Sequence, residues 1–416
     1  MYVRIYSKKA VCFFVLIKKI TTFVPLIVKN SQQNHTEMKF VVSSTDLLSH
    51  LQAISRVINS KNSLPILDNF LLHLEGNTLT LTASDIETTL ITSMEVESSE
   101  GNGKVAVASR LLLDTLREFA EQPLTFSIND SNLAMVITSA NGSYNFIGQN
   151  GDEYPRLPQL QDDARLLSLP VNQLAAGISK TLFCTADDEL RPVMNGVFFD
   201  IMKDGLTLVA TDAHKLVRFK TSYTSVTLGE EEEKVSFILP KKPATMLKNI
   251  LPKESGEVEI KFDAKNAYFK LSNYTMICRQ VEGRFPNYNG VIPKSNAYKI
   301  IIDRVSLLNA LKRVSVFSNQ ASNLVKLDFS NNMIHISAQD IDFSISAEET
   351  INCQFEGDPI KIGFKSAFLI EILSNVNASD VVLELTDPSR AGLILPFENE
   401  TNEEILMLLM PMLLND

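Results

Sequence analysis

Three aspartates carry the most suggestive spacing in this chain. Asp85, Asp212 and Asp340 each end an apolar/polar alternation (Leu81-Thr82-Ala83-Ser84, Leu208-Val209-Ala210-Thr211, His335-Ile336-Ser337-Ala338-Gln339), and they stand 127 and 128 residues apart. Carboxylates brought together could share a proton or hold a metal. A period this long, however, exceeds the roughly 20–50 residues of solenoid repeats, so each copy belongs to a domain-sized unit. Aspartates at equivalent positions of separate domains lie too far apart for joint chemistry. The expected role is local, an aspartate closing a strand and accepting backbone N–H groups of the following turn.

Other chemistry is thinly represented. Gly101-Asn102-Gly103-Lys104 lacks the further glycines and the Ser/Thr of a phosphate loop and reads as a hairpin turn. The five histidines are dispersed without an HExxH pair, and Cys12, Cys184, Cys278 and Cys353 form no CxxC. That pattern suits a reducing cytoplasm and offers neither a zinc site nor a disulfide framework. No enzyme, metal or cofactor is expected.

The elements around the aspartates repeat as well. Each unit reads strand, helix, strands, helix, strands. First helices are expected over 45–58, 171–183 and 304–317, capped or preceded by Ser44, Pro170 and Asp303. Second helices are expected over 109–121, 241–251 and 365–376. Strands such as 196–201, 206–210, 326–329 and 333–337 are punctuated by Gly76-Asn77, Asp204-Gly205 and Asn331-Asn332 turns. The fold class is α+β, three tandem repeats each of two helices on antiparallel sheets. Polar, Pro-bearing linkers near 157–164 and 292–297 divide the chain into 38–162, 163–292 and 293–416.

Residues 1–37 stand outside the pattern. Six basic residues face the single acid Glu37, and Lys18-Lys19 and Pro25 interrupt the apolar stretch before it reaches the length of a membrane span. The segment reads as an N-terminal extension or an upstream start, with Met38 the natural first residue. A membrane role is not expected.

Charge is unevenly placed. The chain carries −10 in all and −15 beyond residue 37, yet the six expected helices with their flanks total +6. Arg110 and Arg117, like Lys241 and Lys248, lie seven residues apart on the face opposite the apolar stripe. Aligning the first helices on Ile54, Ile178 and Leu311 places Arg56, Lys180 and Arg313 together. Helices lining one face of a repeated assembly would make a locally positive surface on an acidic protein, suited to phosphates without base reading. On this argument Arg117, Lys241, Lys242, Lys248 and Arg313 face DNA. A scaffold holding a different acidic partner is the second reading.

Met38-Lys39-Phe40, Leu64-Pro65-Ile66-Leu67-Asp68-Asn69, Ala210-Thr211-Asp212-Ala213-His214-Lys215-Leu216, Glu282-Gly283-Arg284-Phe285-Pro286-Asn287-Tyr288 and Met410-Pro411-Met412 occur in this order. Together they resemble the bacterial DNA polymerase III beta subunit family, the replicative sliding clamps, over nearly the whole repeated region. The resemblance implies the DNA-clamp fold and a head-to-tail homodimer forming a six-domain ring with helices inside. Twelve helices spaced at about 9–10 Å would close a circle roughly 35–38 Å across, wide enough inside for duplex DNA. It implies a processivity factor that encircles double-stranded DNA and tethers the polymerase III catalytic subunit, the clamp loader and other proteins bearing a clamp-binding motif. The partner-peptide pocket implied is Arg191, Met194, Thr211, Ala213, His214, Lys215, Leu216, Pro286, Val291, Leu408, Met410, Pro411 and Met412. The resemblance also places Lys61 against DNA and Phe146, Val316 and Phe317 in the dimer interface. This chain has Ala213 and Lys215 where the family commonly has Gly and Arg, and Leu413 where a basic residue often follows.

Overall fold

The computed structural model describes residues 37–161, 163–228 and 233–414, and residues 1–36 lie outside them. Six α-helices occur among the described residues: α1 (Ser44–Ile54), α2 (Ser109–Arg117), α3 (Val171–Thr181), α4 (Lys241–Ile250), α5 (Arg304–Ser315) and α6 (Ser366–Ser374). Each sits on antiparallel strands through an apolar stripe. In α1 the stripe is Leu47, Leu51 and Ile54; in α5 it is Leu307, Leu308, Leu311 and Val314. These are the three- and four-residue steps that put side chains on one helical face.

The helices are shorter than their sequence patterns. Expected over 109–121, α2 ends at Arg117, and 118–121 leaves the helix before the Pro123–Asn129 strand. The first turn of α1 is capped by Ser43, whose hydroxyl accepts from the Asp46 N–H, not by Ser44. Ser44 is buried and donates instead to the Ala120 carbonyl at 2.9 Å. Asp303 does cap α5, accepting from the Ser306 N–H at 2.7 Å.

Among the described residues the strands assemble into four sheets of five, ten, nine and four strands. The two large sheets cross the boundaries between repeats. Thr88–Glu95 pairs edge to edge with Tyr274–Arg279, joining the first unit to the second. Lys215–Thr221 pairs with Glu403–Leu409 and joins the second to the third. The small sheets end on unpaired strands, Ser143–Ile147 in the first unit and Ile345–Asn352 in the third. One apolar core runs beneath all of this, and a second cluster around Phe198, Val209, Ile238 and Phe285 covers the other face of the second unit.

Candidate functional site

The repeated aspartates are turn formers. Asp85 accepts from the Thr88 N–H at 2.7 Å. Asp212 accepts from the N–H groups of His214 (2.9 Å) and Lys215 (2.8 Å), and Asp340 from that of Asp342 (3.0 Å). The second oxygen then reaches outward. Asp85 holds the Lys242 ammonium, Asp212 that of Lys215 at 2.8 Å, and Asp340 faces the Asn319 amide at 3.4 Å.

The turn of the second unit forms one wall of the expected pocket. Leu216 lies opposite Leu408 and Lys215 opposite Leu409, and the Met410 N–H donates to the His214 carbonyl at 2.9 Å. The fold thus sets 211–216 and 408–410 side by side across the boundary. Leu216 and Leu408 are buried in the cluster with Phe198, Phe285 and Tyr288, where Phe285 stacks on Phe198 at 4.6 Å. Pro286 and Val291 flank Tyr288, whose hydroxyl donates to Asp200 at 2.8 Å. Met410 (43% exposed) and Val291 (55%) offer apolar surface to solvent above this floor. Ala213 occupies the turn at φ 75°, a conformation that only glycine adopts freely.

The remaining pocket residues are placed differently. Met412 leaves the boundary, its N–H donating to the Gly363 carbonyl at 2.8 Å on the edge of the third unit, with Pro411 half-buried between. Arg191 pairs with Asp188 at 2.8 Å, and its turn through Met194 packs behind Gly283, where a side chain would strike Val193. Lys215 is buried, its ammonium also 3.3 Å from Glu371 and 5.2 Å from the Phe368 ring. Burial opposes that charge, but Cys184, Asp212 and Glu371 together outweigh it and raise the Lys215 pKa. His214 stacks on Phe368 at 5.7 Å. The Lys215 ammonium also lies 3.5 Å from the Phe183 carbonyl, so Phe183, Phe368 and Glu371 belong to this corner, although no sequence motif marked them. Phe368 alone carried a positional signal, since it precedes buried Leu369 in α6 as Lys242 precedes buried Pro243 in α4.

Of the basic residues expected at DNA, Lys61 and Lys248 are exposed. Arg117 is exposed beside Asp114 at 2.9 Å, and Lys241 meets Asp187. Lys242 departs from the expectation. Its ammonium is held by the Val57 carbonyl (2.6 Å), Asn59 Oδ1 (2.6 Å) and the Asp85 carboxylate, fastening α4 to the first unit. Arg313 is exposed but makes a two-armed pair with Glu349 at 2.7 and 2.6 Å. The helix alignment also needs correcting by one turn. The short 3-10 segments Ser55–Val57 and Leu182–Cys184 follow α1 and α3 identically, so Leu51, Ile178 and Leu311 correspond, and Ala53, not Arg56, matches Lys180 and Arg313. Periodicity alone fixes a helical face but not the turn along it.

At the outer edges Val316 is 73% and Phe317 37% exposed, whereas Phe146 is turned into the core at 7%. Its neighbour Ile147 is 83% exposed. Among the described residues no group of His, Cys, Asp and Glu is placed to hold a metal ion, and no helix is long and apolar enough to cross a membrane.

Three units of paired helices on antiparallel strands, joined edge to edge, define a DNA-clamp protein. The comparisons agree in detail. Models of the DNA polymerase III beta subunit match in three pieces, the N-terminal domain over 38–158, the central domain over 168–287 and the C-terminal domain over 289–412. The beta sliding clamp of Haemophilus influenzae is 29% identical over 374 residues, 89% of this chain and 99% of that protein. The clamp of Synechococcus elongatus is 28% identical, covering 86% of this chain and 96% of its own. The crystal structure of the DNA polymerase III subunit beta clamp from Bartonella birtlesii bound to griselimycin superposes with a TM-score of 0.84 at 28% identity, over 91% of this chain and all of that one. This chain belongs to the DNA polymerase III beta subunit family.

Proposed function

We propose that two copies of this protein close head to tail into a ring around duplex DNA. There the ring tethers the replicative polymerase, the clamp loader and other motif-bearing partners through the corner built from 211–216, 286–291 and 408–412. The units are 38–162, 163–292 and 293–416. One observation carries the reading: the chain twice joins its units by pairing strand edges, and it ends with one such edge unused in the first unit and the complementary one unused in the third. An interface between unlike edges that closes after two copies gives a ring and not a filament. Lys61, Arg117, Lys241 and Lys248 supply the weak phosphate contacts of its inner wall, with Arg313 in reserve through its exchangeable pair. Weak contact suits a ring, because topology keeps it on DNA while strong binding would stop it moving. The ring acts in the cytoplasm and adds no catalysis of its own.

The test is retention after loading. The protein should stay on closed circular DNA through gel filtration and leave within minutes once the circle is cut. Equal retention on circular and linear DNA would favour a scaffold that binds without encircling. Phe317→Asp should sediment as a monomer and lose retention on the circle; an unchanged dimer removes Phe317 from the interface.

A further inference from the structure

The two junctions inside the chain share one register. Cys278 lies opposite Thr88 and Met276 opposite Leu90, while the Arg279 N–H donates to the Glu87 carbonyl at 2.8 Å. Leu409 lies opposite Lys215 and Met407 opposite Val217, while the Met410 N–H donates to the His214 carbonyl at 2.9 Å.

The free edges carry the same landmarks. Gly148 and Gln280 make matching bonds to the Leu133 and Lys265 carbonyls, and two residues beyond Ile147, Arg279 and Met410 each chain meets the edge strand of its own unit. Ile147, Arg279 and Met410 are therefore equivalent, and so are Phe146, Cys278 and Leu409. On the other edge Thr88, Lys215 and Ile345 each follow the aspartate turn as its first paired residue.

The helices complete the correspondence. Lys242 and Phe368 stand one residue before the buried Pro243 and Leu369, and both reach across a junction to the preceding unit's aspartate turn. The residue at that position in α2 is Leu111, before buried Leu112, and it is 54% exposed. The turn it would meet, 341–344, is two residues longer than its counterparts at 86–87 and 213–214 and presents Ile341 (80% exposed) and Phe343 (73%).

We propose that the seam between subunits repeats this register. Phe146 then lies opposite Ile345 of the partner subunit and Tyr144 opposite Ala347 of the partner subunit, and the Ile147 N–H donates to the carbonyl of Ser344 of the partner subunit. Leu111 seats against Phe317 of the partner subunit and the turn carrying the partner subunit's Ile341 and Phe343. The proposal rests on the closed-dimer reading and adds its chemistry: the chain latches its own junctions with Lys242 and Lys215 and leaves an apolar contact at the seam. Contacts of that kind are little affected by salt.

Cysteine pairs read the register directly. Tyr144 and Ala347 of the partner subunit form a pair without mutual hydrogen bonds, with Cα atoms roughly 4.5 Å apart, inside the range a disulfide spans. Tyr144→Cys with Ala347→Cys should give covalent dimers under mild oxidation, whereas Tyr144→Cys with Glu349→Cys should not. Leu111→Asp, at an exposed position, should weaken dimerisation at least about tenfold with unchanged thermal unfolding of the monomer. Stronger cross-linking of the shifted pair, or wild-type dimerisation of Leu111→Asp, overturns the proposal. Sedimentation of the unmodified protein separates the two readings: a monomer defeats the ring itself, while a dimer with the shifted cross-link defeats only the register.

Discussion

The ammonium of Lys242, at the start of α4, rests on the carboxylate of Asp85 in the first unit's aspartate turn. The Asp85 side chain is only 5% exposed, so it depends on this partner, on Asn59 and on the Thr88 N–H. A buried carboxylate stripped of its cation retains its desolvation cost without compensation.

Replacing Lys242 by Met should therefore cost about 1–3 kcal/mol, the half-exposed ammonium keeping the figure below that of a fully buried pair. Urea unfolding would read this as a lower midpoint. Asp85→Asn should retain the turn and lose less, and the double variant should lose less than the two single losses added together. Full additivity would mean that Lys242 and Asp85 do not act on each other.

Neutralising Lys61, Arg117, Lys241 and Lys248 together should reduce loading onto circular DNA while the dimer persists in sedimentation. For open binding to short duplexes, the dependence of log affinity on log salt should flatten by roughly 3 to 4. An unchanged slope would move the DNA path away from these side chains.

The partner corner should be sensitive to single apolar anchors. Met410→Ala, which removes the exposed apolar surface beside Leu216 and Leu408, is expected to weaken a glutamine-bearing peptide with spaced Leu and Phe residues by about ten- to a hundredfold, or roughly 1–3 kcal/mol. Removing 410–416 should abolish polymerase stimulation and spare the dimer, whose edges lie in other strands. Calorimetry showing full peptide affinity in the truncated protein would reject the assignment.

Stability should soften mildly below neutral pH. The Thr92 hydroxyl donates to the Asn273 carbonyl across the first junction at 2.9 Å, so it receives from His50 Nδ1 at 2.7 Å. Burial pushes the His50 pKa below its ordinary 6.5, and burial does the same at His73. A group whose folded pKa is depressed takes up its proton more readily when unfolded. The stability from these rings is therefore complete above pH 6.5 and is lost as pH falls from there through their folded pKa values. His50→Gln should flatten the fall in unfolding free energy between about pH 6.5 and 5. The same slope in that variant would assign the effect elsewhere.

Much of this molecule was written locally. The three aspartate turns, the amphipathic stripes of α1 to α6 and the triplication itself follow from spacing, because each is settled by neighbours within a few residues. The aspartates were legible as turn formers for that reason. The partner corner needed more: Thr211, Leu216 and Met410 belong to recognisable segments, but Phe368 and Glu371 reach Lys215 only because two strand edges pair across a boundary. Lys242 makes the same point in reverse. On a helical wheel it is one more exposed cation, and only packing against the first unit turns it into a latch. Local periodicity selects which face of an element is polar. Which distant partner meets that face depends on how the sheets are joined, and that was decided by the tertiary structure alone.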